Sequence, residues 1–282
     1  MPRLAILTYH PIHIVANDYA GNDLVALASD LETVERLGLP VVSLDQAITP
    51  CGERELLAGF GDAAVAITFD DGSVFDFEDH GHPTCGPQRS AASVLDEASK
   101  RLTCLTAARP LASTFVIASP EARAELDRND YFAGGYWPER WWSQAAAGAV
   151  LSVESHSWDH NHPSIARSLQ RDNVRGTFGN IATWDEAEGE VAMSIAYIAR
   201  VSGRLPRFFA YPWGEPSDYL LRDYLPKRGA EIGLKAAVSS APYASGFATR
   251  DSERWLVPRL VCGHDWKSPA GLERLLAPLA GG

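Results

Sequence analysis

Cysteine is scarce in this 282-residue chain. Cys51, Cys85, Cys104 and Cys262 lie far apart, and no two of them form a C-x-x-C pair. This spacing argues against a zinc knuckle and against a dithiol redox motif. We expect buried free thiols, with a Cys85–Cys104 disulfide as the alternative if the protein is exported.

Basic residues are in the minority, with 25 Lys and Arg against 36 Asp and Glu and a formal net charge of -11. Nucleic-acid binding depends on clustered Lys and Arg that neutralise phosphates, and no such cluster is visible. The composition therefore argues against a nucleic-acid partner. It favours a substrate that is neutral or weakly cationic.

Long hydrophobic runs are also lacking. The apolar segment from Leu4 to Leu7 is too short for the core of a signal peptide, and no run reaches the roughly 20 apolar residues of a membrane-spanning helix. We expect no membrane partner and, for the sequence as written, a cytoplasmic location unless an export signal has been lost. With 46% hydrophobic and 22% charged residues, the chain should fold throughout, as a single domain over residues 1–282.

What the sequence does contain is a regular alternation of short apolar runs with amphipathic segments. Eight runs have the composition of buried strands. They are Leu4–Thr8, Val41–Leu44, Ala64–Phe69, Ser113–Ala118, Val150–Glu154, Arg207–Tyr211, Ala236–Ser239 and Trp255–Val261. Helical spacing appears between and after them, over residues 24–37, 93–107, 184–202 and 269–279, and a helix start is predicted at Ser119-Pro120-Glu121.

Repeated β-α units favour parallel strands with helices outside, and eight strands are enough for an α/β barrel. In that architecture reactive side chains gather on the loops that follow the carboxyl ends of the strands. The chemistry of this chain should therefore be sought directly after its predicted strands.

Two adjacent carboxylates, Asp70 and Asp71, follow the predicted strand Ala64–Phe69 and precede Gly72. Holding two acids together is costly unless a positive charge lies between them. An ordinary turn is the alternative, since Asp and Gly are favoured turn residues.

Two histidines, His156 and His160, follow the predicted strand Val150–Glu154 at a spacing of four residues. On a helical turn this spacing would place both rings on one face, although a pair of surface histidines is the alternative. Combined with one aspartate, they supply two nitrogens and one oxygen, the usual protein share of a catalytic zinc site. Zinc is expected, and cobalt or nickel would be tolerated.

These two motifs, Thr68-Phe69-Asp70-Asp71-Gly72 and His156-Ser157-Trp158-Asp159-His160, resemble the T-F-D-D-G and H-[ST]-x-x-H motifs of the polysaccharide deacetylases, carbohydrate esterase family four or the NodB-homology group. The resemblance implies a distorted (β/α) barrel. It further implies Asp71, His156 and His160 as metal ligands and Asp70 as the catalytic base.

A third motif, Ala210-Tyr211-Pro212-Trp213-Gly214, is similar to a variant of the family's R-P-P-Y-G motif. The resemblance implies that the Trp213 backbone N–H stabilises the oxyanion, and it places Tyr211 at the substrate. Ala210 stands where many members carry an arginine that orients the base. Arg207 and Arg259 are the candidates to replace that arginine.

The family's late motifs have weaker matches in Trp255, for the acetyl pocket, and in His264, for the general acid. Two more residues separate Leu260 from His264 than the usual L-x-H motif has. Asp265 lies beside His264 and would favour the protonated imidazole. His10, at the end of the first predicted strand, is expected to line the pocket and is the second candidate for the acid.

Two irregular segments could extend the site. Trp137, Trp141 and Trp142 precede the histidine motif and either form a platform for sugar rings or anchor a long loop. A second group could form another metal site, although its irregular spacing favours a solvated polar loop. Its members are Asp76, Glu78, Asp79, His80 and His82.

The sequence therefore predicts a metal-dependent hydrolase that removes N- or O-linked acetyl groups from a carbohydrate. A hydrolase of the same barrel that acts on a non-carbohydrate amide is the first alternative, because a metal site defines the reaction class better than the substrate. A non-catalytic sugar-binding domain is the second alternative. The intact acidic pair and both histidines argue against it.

Overall fold

The computed structural model describes residues 1–48, 61–105, 110–148, 150–168 and 175–280. Its strands are β1 (Arg3–Tyr9), β2 (Ala63–Phe69), β3 (His80–His82), β4 (Gly86–Gln88), β5 (Ala112–Val116), β6 (Leu151–Ser155), β7 (Phe208–Ala210), β8 (Ala236–Ser239), β9 (Ala248–Thr249), β10 (Val257–Pro258) and β11 (Leu260–Val261).

The helices are α1 (Asp23–Arg36), α2 (Leu44–Ala47), α3 (Ala91–Ser99), α4 (Pro120–Asp130), α5 (Trp142–Gly148), α6 (Trp184–Ala187), α7 (Met193–Ser202) and α8 (Pro269–Ala280). A π-helical segment, Glu188–Ala192, joins α6 to α7, and a second one covers Leu220–Gly229. Among the described residues, no helix has the length and hydropathy that crossing a membrane requires.

Eight parallel strands form a nearly closed barrel in the order β10-β8-β7-β6-β5-β2-β1-β11, and β9 pairs antiparallel with β1. The two end strands of this sheet, β10 and β11, are neighbours in sequence, separated by Arg259 alone. The chain thus steps from one edge of the sheet to the other at a single residue, whose backbone N–H donates to the Ser239 carbonyl. The predicted distorted (β/α) barrel is confirmed.

Side chains alternate between the barrel interior and the helical layer, as the two-residue period of a strand requires. In β1, Leu4 and Ile6 point inward, where they share one hydrophobic cluster with Phe208 of β7 and Val238 of β8. Because β7 and β8 are not neighbours of β1 in the sheet, these contacts must cross the barrel. The alternate residues of β1, Ala5 and Leu7, pack outward in a second cluster, which includes residues of α1 and α3.

Three predicted elements differ from the structure. Val41–Leu44 is not a strand: Val41 forms a single bridge to Val65, and the Ser43 side chain then caps α2. Trp255–Val261 is two short strands rather than one, because Arg259 lies at the junction between the two sheet edges. The helix predicted over residues 93–107 is α3, which ends at Ser99 before a 3₁₀ turn at Thr103–Leu105, and residue 107 is outside the described ranges.

Cys85, Cys104 and Cys262 are free thiols, and Cys51 is outside the described ranges.

Gly72 allows the closest approach between the loop after β2 and strand β5. Its φ is +77°, and a Cβ there would lie 2.5 Å from Val116 Cγ1 and 2.8 Å from Val116 Cα. We expect Gly72→Ala to lower the free energy of unfolding by about 2 to 4 kcal/mol, from left-handed strain plus overpacking. Denaturant unfolding measures this change.

Gly38→Ala is the matched control, since Gly38 has a φ of +65° and no atom within 4 Å of the added Cβ. It should cost only about 1 kcal/mol, from the strained backbone alone. Equal losses in the two variants would show that the contact with Val116 is not tight.

Candidate metal centre and catalytic pocket

Asp70 and Asp71 lie at the carboxyl end of β2, where the chain leaves the sheet. The inward positions of β2 are Ala64 and Ala66, so the alternation carries Asp70 over the barrel interior. Asp71 would then point outward, but its φ of +76° ends the extended conformation. Both carboxylates consequently line one cavity at the mouth of the barrel.

His156 and His160 lie on an irregular loop after β6, so the helical turn considered from their spacing is wrong. Ser157 and His160 have φ values of 68° and 65°, which are left-handed rather than helical. The backbone N–H of His160 donates to Ser157 Oγ at 2.9 Å and holds this turn. The loop still brings the two imidazole rings together, with centroids 4.8 Å apart.

Asp71, His156 and His160 form the one group of potential metal ligands found within the described ranges. The Nε2 atoms of His156 and His160 each lie 3.7 Å from Asp71 Oδ1, and one ligand atom from each residue lies within 4.8 Å of the others. These three residues are those that the motifs indicated.

The hydrogen bonds and burial of the two histidines suit metal binding. His156 Nδ1 lies 2.8 Å from the Ala210 carbonyl, which can only accept, so its Nε2 lone pair is directed toward the site. Burial, together with the neighbouring His156 ring, lowers the pKa of His160 well below its usual value. Two neutral imidazoles and one carboxylate are the donor set of a divalent transition-metal ion, and we infer that these residues fit one.

The Asp70 carboxylate is held by Arg259, which is almost completely buried. Arg259 Nη1 and Nη2 donate to the two Asp70 oxygens at 2.7 and 2.8 Å. Burial alone would raise the pKa of Asp70, but the Arg259 guanidinium, and secondarily His156, hold it at about 2. The carboxylate is therefore ionised at neutral pH and fixed in orientation.

Of the two arginines considered from the sequence, Arg259 and not Arg207 contacts the Asp70 carboxylate. Arg259 continues the inward alternation from Val257 of β10 and lies at the mouth of the barrel. Arg207 comes before β7, and its backbone N–H donates to Glu154 of β6.

The cavity at the mouth has a volume of about 380 Å³. It brings together most of the residues singled out in the sequence: His10, Asp70, Asp71, His156, His160, Trp213, Arg259 and His264. It also includes Tyr131 and His162, to which the sequence gave no role, although His162 follows the histidine motif by only two residues. Tyr131 carries no sequence signal, because only the return of the chain after α4 brings it to the mouth.

Trp255 and Tyr211 do not line this cavity. The Tyr211 hydroxyl donates to the Trp255 carbonyl at 2.8 Å, and both side chains pack in a cluster with Phe209 and Leu225 between the sheet and the outer helical layer. Trp255 precedes β10, whereas the cavity is formed by residues that follow the strands. Both residues therefore support the fold rather than line the pocket.

His264 follows β11 and lies, largely exposed, at the edge of the cavity. Its Nδ1 is 3.2 Å from Asp265 Oδ1. The loop is closed by a hydrogen bond from the Gly263 N–H to the Trp266 carbonyl, and Trp266 Nε1 donates to the buried Asp30 of α1 at 2.9 Å. Burial raises the pKa of Asp30 to about 6, although the carboxylate also accepts hydrogen bonds from two tyrosines.

Trp213 faces the cavity in a left-handed conformation with φ 53°. Its ring meets the His160 ring edge-on, with centroids 4.5 Å apart. The third motif thus reaches the cavity that contains the candidate metal ligands, and the role of the Trp213 backbone N–H stays a prediction.

The tryptophans before the histidine motif are buried. Trp141 and Trp142 are 0% exposed, and the Arg123 guanidinium donates to the Trp137 carbonyl and packs 4.8 Å from the Trp142 ring centroid. These contacts support the alternative for Trp141 and Trp142, which anchor a long loop. Trp137 is buried as well, but it also lines the cavity that holds Asp70 and Asp71.

The polar segment after Gly72 has structural contacts throughout. His80 and His82 lie on the β3–β4 hairpin, against Tyr136. Asp79 accepts a hydrogen bond from the Ser90 N–H, and Glu78 pairs with Arg140. Asp76 is buried beside Ser73 and Thr114. In the part of the chain described, these residues form no second metal cluster.

Comparison with known proteins agrees with this site. The family model described as "Polysaccharide deacetylase" matches residues 59–232, which is more than half of the chain. No curated protein matches the sequence.

Solved structures show the same fold over nearly the full length. They include the Streptococcus pyogenes deacetylase PplD (18% identity, TM-score 0.63, covering 98% of this chain and 99% of that one) and IcaB from Ammonifex degensii (17%, 0.64, 100% and 98%). A third is a de-N-acetylase from Aggregatibacter actinomycetemcomitans (15%, 0.62, 97% and 100%). On the strength of the matching family model, and with the two motifs assembled in one cavity, the chain belongs to the polysaccharide deacetylase family.

Proposed function

We propose that this chain is a divalent-metal-dependent deacetylase that removes N- or O-linked acetyl groups from a carbohydrate, with zinc as the metal. One observation carries the proposal. The donor set of Asp71, His156 and His160 lies in the same cavity as an ionised carboxylate, Asp70. A metal ligand set and a base side by side are what hydrolysis of an acetyl group requires.

In this proposal, a divalent cation held by Asp71, His156 and His160 supplies Lewis-acid polarisation when it is bound. Asp70, oriented by Arg259, accepts the proton of the attacking water. The Trp213 backbone N–H stabilises the oxyanion of the tetrahedral intermediate. His264 donates a proton to the departing sugar nitrogen or oxygen, and acetate is released.

Metal dependence is tested first. Protein purified without chelator should hold about one equivalent of a divalent metal, because the three ligand atoms converge and both histidines suit neutral ligation. It should release acetate from N-acetylglucosamine oligomers or acetylated xylan, and chelator should abolish the release until zinc is restored.

The same substrate panel separates the alternatives. Release of acetate from small amides but from no sugar would indicate an amide hydrolase of the same barrel. Less than about a tenth of an equivalent of metal, unrestored by added zinc, would contradict the metal site.

The adjacent aspartates should fail in different ways. Asp71→Asn should weaken metal binding, because the one carboxylate ligand is lost. Asp70→Asn should keep the metal and lose activity by about a hundredfold or more, because the proton acceptor is removed. Elemental analysis and acetate release measure the two effects.

Asp70→Asn also leaves the buried Arg259 without its carboxylate partner, so its thermal stability must be recorded and its activity measured at a temperature where it is folded. If both variants lose metal to the same extent, the division of roles between the two aspartates is wrong.

His264→Ala tests the proposed role of His264 as the general acid. Turnover should fall by about a hundredfold on sugar amides, which need a proton on the leaving group, and remain near wild type on activated aryl acetates, which do not. Metal content should be unchanged in the variant. A variant that deacetylates sugars at the wild-type rate would move the role to His10.

A further inference from the structure

The turn that carries His264 is tied to the rest of the molecule by a buried tryptophan. His264 is largely exposed, and its Nδ1 lies 3.2 Å from the carboxylate of Asp265, which belongs to the same turn. A contact within the turn does not fix where the turn stands relative to the metal ligands. Trp266, which follows directly, is almost completely buried and can fix that position.

Two contacts hold the ring of Trp266. Its Nε1–H donates to Asp30 Oδ2 at 2.9 Å, and its ring meets the Tyr9 ring edge-on, with centroids 5.6 Å apart. The carbonyl of Trp266 accepts a hydrogen bond from the Gly263 N–H at 2.9 Å, which closes the turn around His264. A shift of the indole would therefore move the backbone that carries His264.

The Asp30 carboxylate accepts hydrogen bonds from three aromatic side chains on separate segments. Tyr9 and Trp266 both donate to Oδ2, whereas Tyr19 donates to Oδ1 at 2.7 Å. Tyr9 ends β1, Tyr19 lies in the loop before α1, and Trp266 lies after β11. One acceptor on α1 thus sets the arrangement of three pieces of chain that meet near the mouth of the barrel.

Packing alone does not require a carboxylate at this position. Asp30 is 1% exposed, and burying a carboxylate costs free energy that an apolar side chain of similar volume does not cost. A leucine surrounded by phenylalanines would fill the same space. Such a core would lack direction, because hydrogen bonds restrict the orientation of each ring more than apolar contacts do. The polar network therefore indicates that the arrangement of these segments matters.

The arrangement matters most for a proton donor. A general acid acts only within hydrogen-bond reach of the leaving atom, and a displacement of about 1 Å can lower the rate by about a hundredfold. The exposed ring of His264 gains little from packing of its own. The anchor at Trp266 supplies the constraint that the ring lacks.

We propose that Asp30 is a positioning residue for the general acid, and that it acts through Trp266 on the turn that carries His264. The inference rests on the proposed deacetylase function and on the role of His264 within it. It adds that a buried carboxylate of α1, which does not line the catalytic cavity, contributes to protonation of the leaving group.

The test compares two metal-replete variants that each remove one hydrogen bond to Asp30. Trp266→Phe removes the link to the His264 turn, so kcat on N-acetylglucosamine oligomers should fall by about tenfold, with KM changed by less than about twofold. Hydrolysis of activated aryl acetates, whose leaving group needs no proton, should change by less than about twofold. Metal content should equal that of the wild type, because Trp266 is not among the ligand residues.

Tyr19→Phe is the matched control, because it also removes one aromatic donor from the same carboxylate but lies outside the His264 turn. It should leave both substrate classes within about twofold of the wild type. A general weakening of the network would instead lower activity in both variants and on both substrates. The contrast between the two variants therefore separates positioning from stability.

Asp30 is tested directly by Asp30→Asn and Asp30→Leu. Asparagine keeps an acceptor oxygen for Trp266 and Tyr9, and its amide can donate to the Tyr19 hydroxyl, so sugar-amide turnover should stay within about threefold of the wild type. Leucine has no acceptor, so Asp30→Leu should lower that turnover by about tenfold and spare aryl acetates. If Asp30→Leu does not fold, Trp266→Phe, which keeps the carboxylate, still decides the question.

A double variant checks that the effect passes through His264. In a His264→Ala background, Trp266→Phe should have no further effect on sugar amides, because the acid that it positions is absent. A further tenfold loss there, an equal loss on both substrate classes in Trp266→Phe alone, or no loss at all would refute the positioning role while the deacetylase activity stands. If the wild type releases no acetate from any sugar, the proposed function fails instead.

Discussion

Arg259 lies between the two end strands of the barrel and places its guanidinium against the Asp70 carboxylate. The same residue therefore joins the two edges of the sheet and orients the side chain proposed as the base. Two buried opposite charges with parallel hydrogen bonds tolerate little displacement, because separation would leave each of them unpaired in a poorly solvated interior. Barrel closure and the geometry of the catalytic pocket thus depend on one contact.

The pocket also depends on two carboxylates of α1, which lie outside it. Asp23, near the start of the helix, accepts the backbone N–H of His10 and a ring nitrogen of His13. Asp30, about two turns further on, accepts hydrogen bonds from Tyr9 and from Trp266. One helix therefore positions the loops that carry His10 and His264, the two residues considered for the acid. Satisfied buried networks of this kind restrict a loop to one arrangement.

The aromatic residues at the mouth of the barrel divide between support and the cavity wall. Trp141 and Trp142 are buried, and the Trp142 ring packs against the Arg123 guanidinium, whereas Trp137 and Trp213 line the cavity that holds Asp70 and Asp71. The segment before the histidine motif thus stabilises itself with two of its rings and contributes a third to the cavity wall. In the proposed function, the metal site defines the reaction, and the rest of the cavity wall contributes to the choice of substrate.

The amino-acid sequence by itself determined the features that depend on neighbours along the chain. These are the alternation of strands and helices, the T-F-D-D-G and H-x-x-x-H motifs, and the residue types of the ligand set, because hydrophobic period and donor chemistry are local properties. Only the tertiary structure decided that Arg259, 189 residues from Asp70, holds the Asp70 carboxylate, since that contact exists only once the sheet closes. It likewise decided that Trp255 packs beneath the outer helical layer, and that left-handed residues rather than a helix bring His156 and His160 together. Each of these outcomes depends on which distant surfaces meet, and a local pattern carries no information about that.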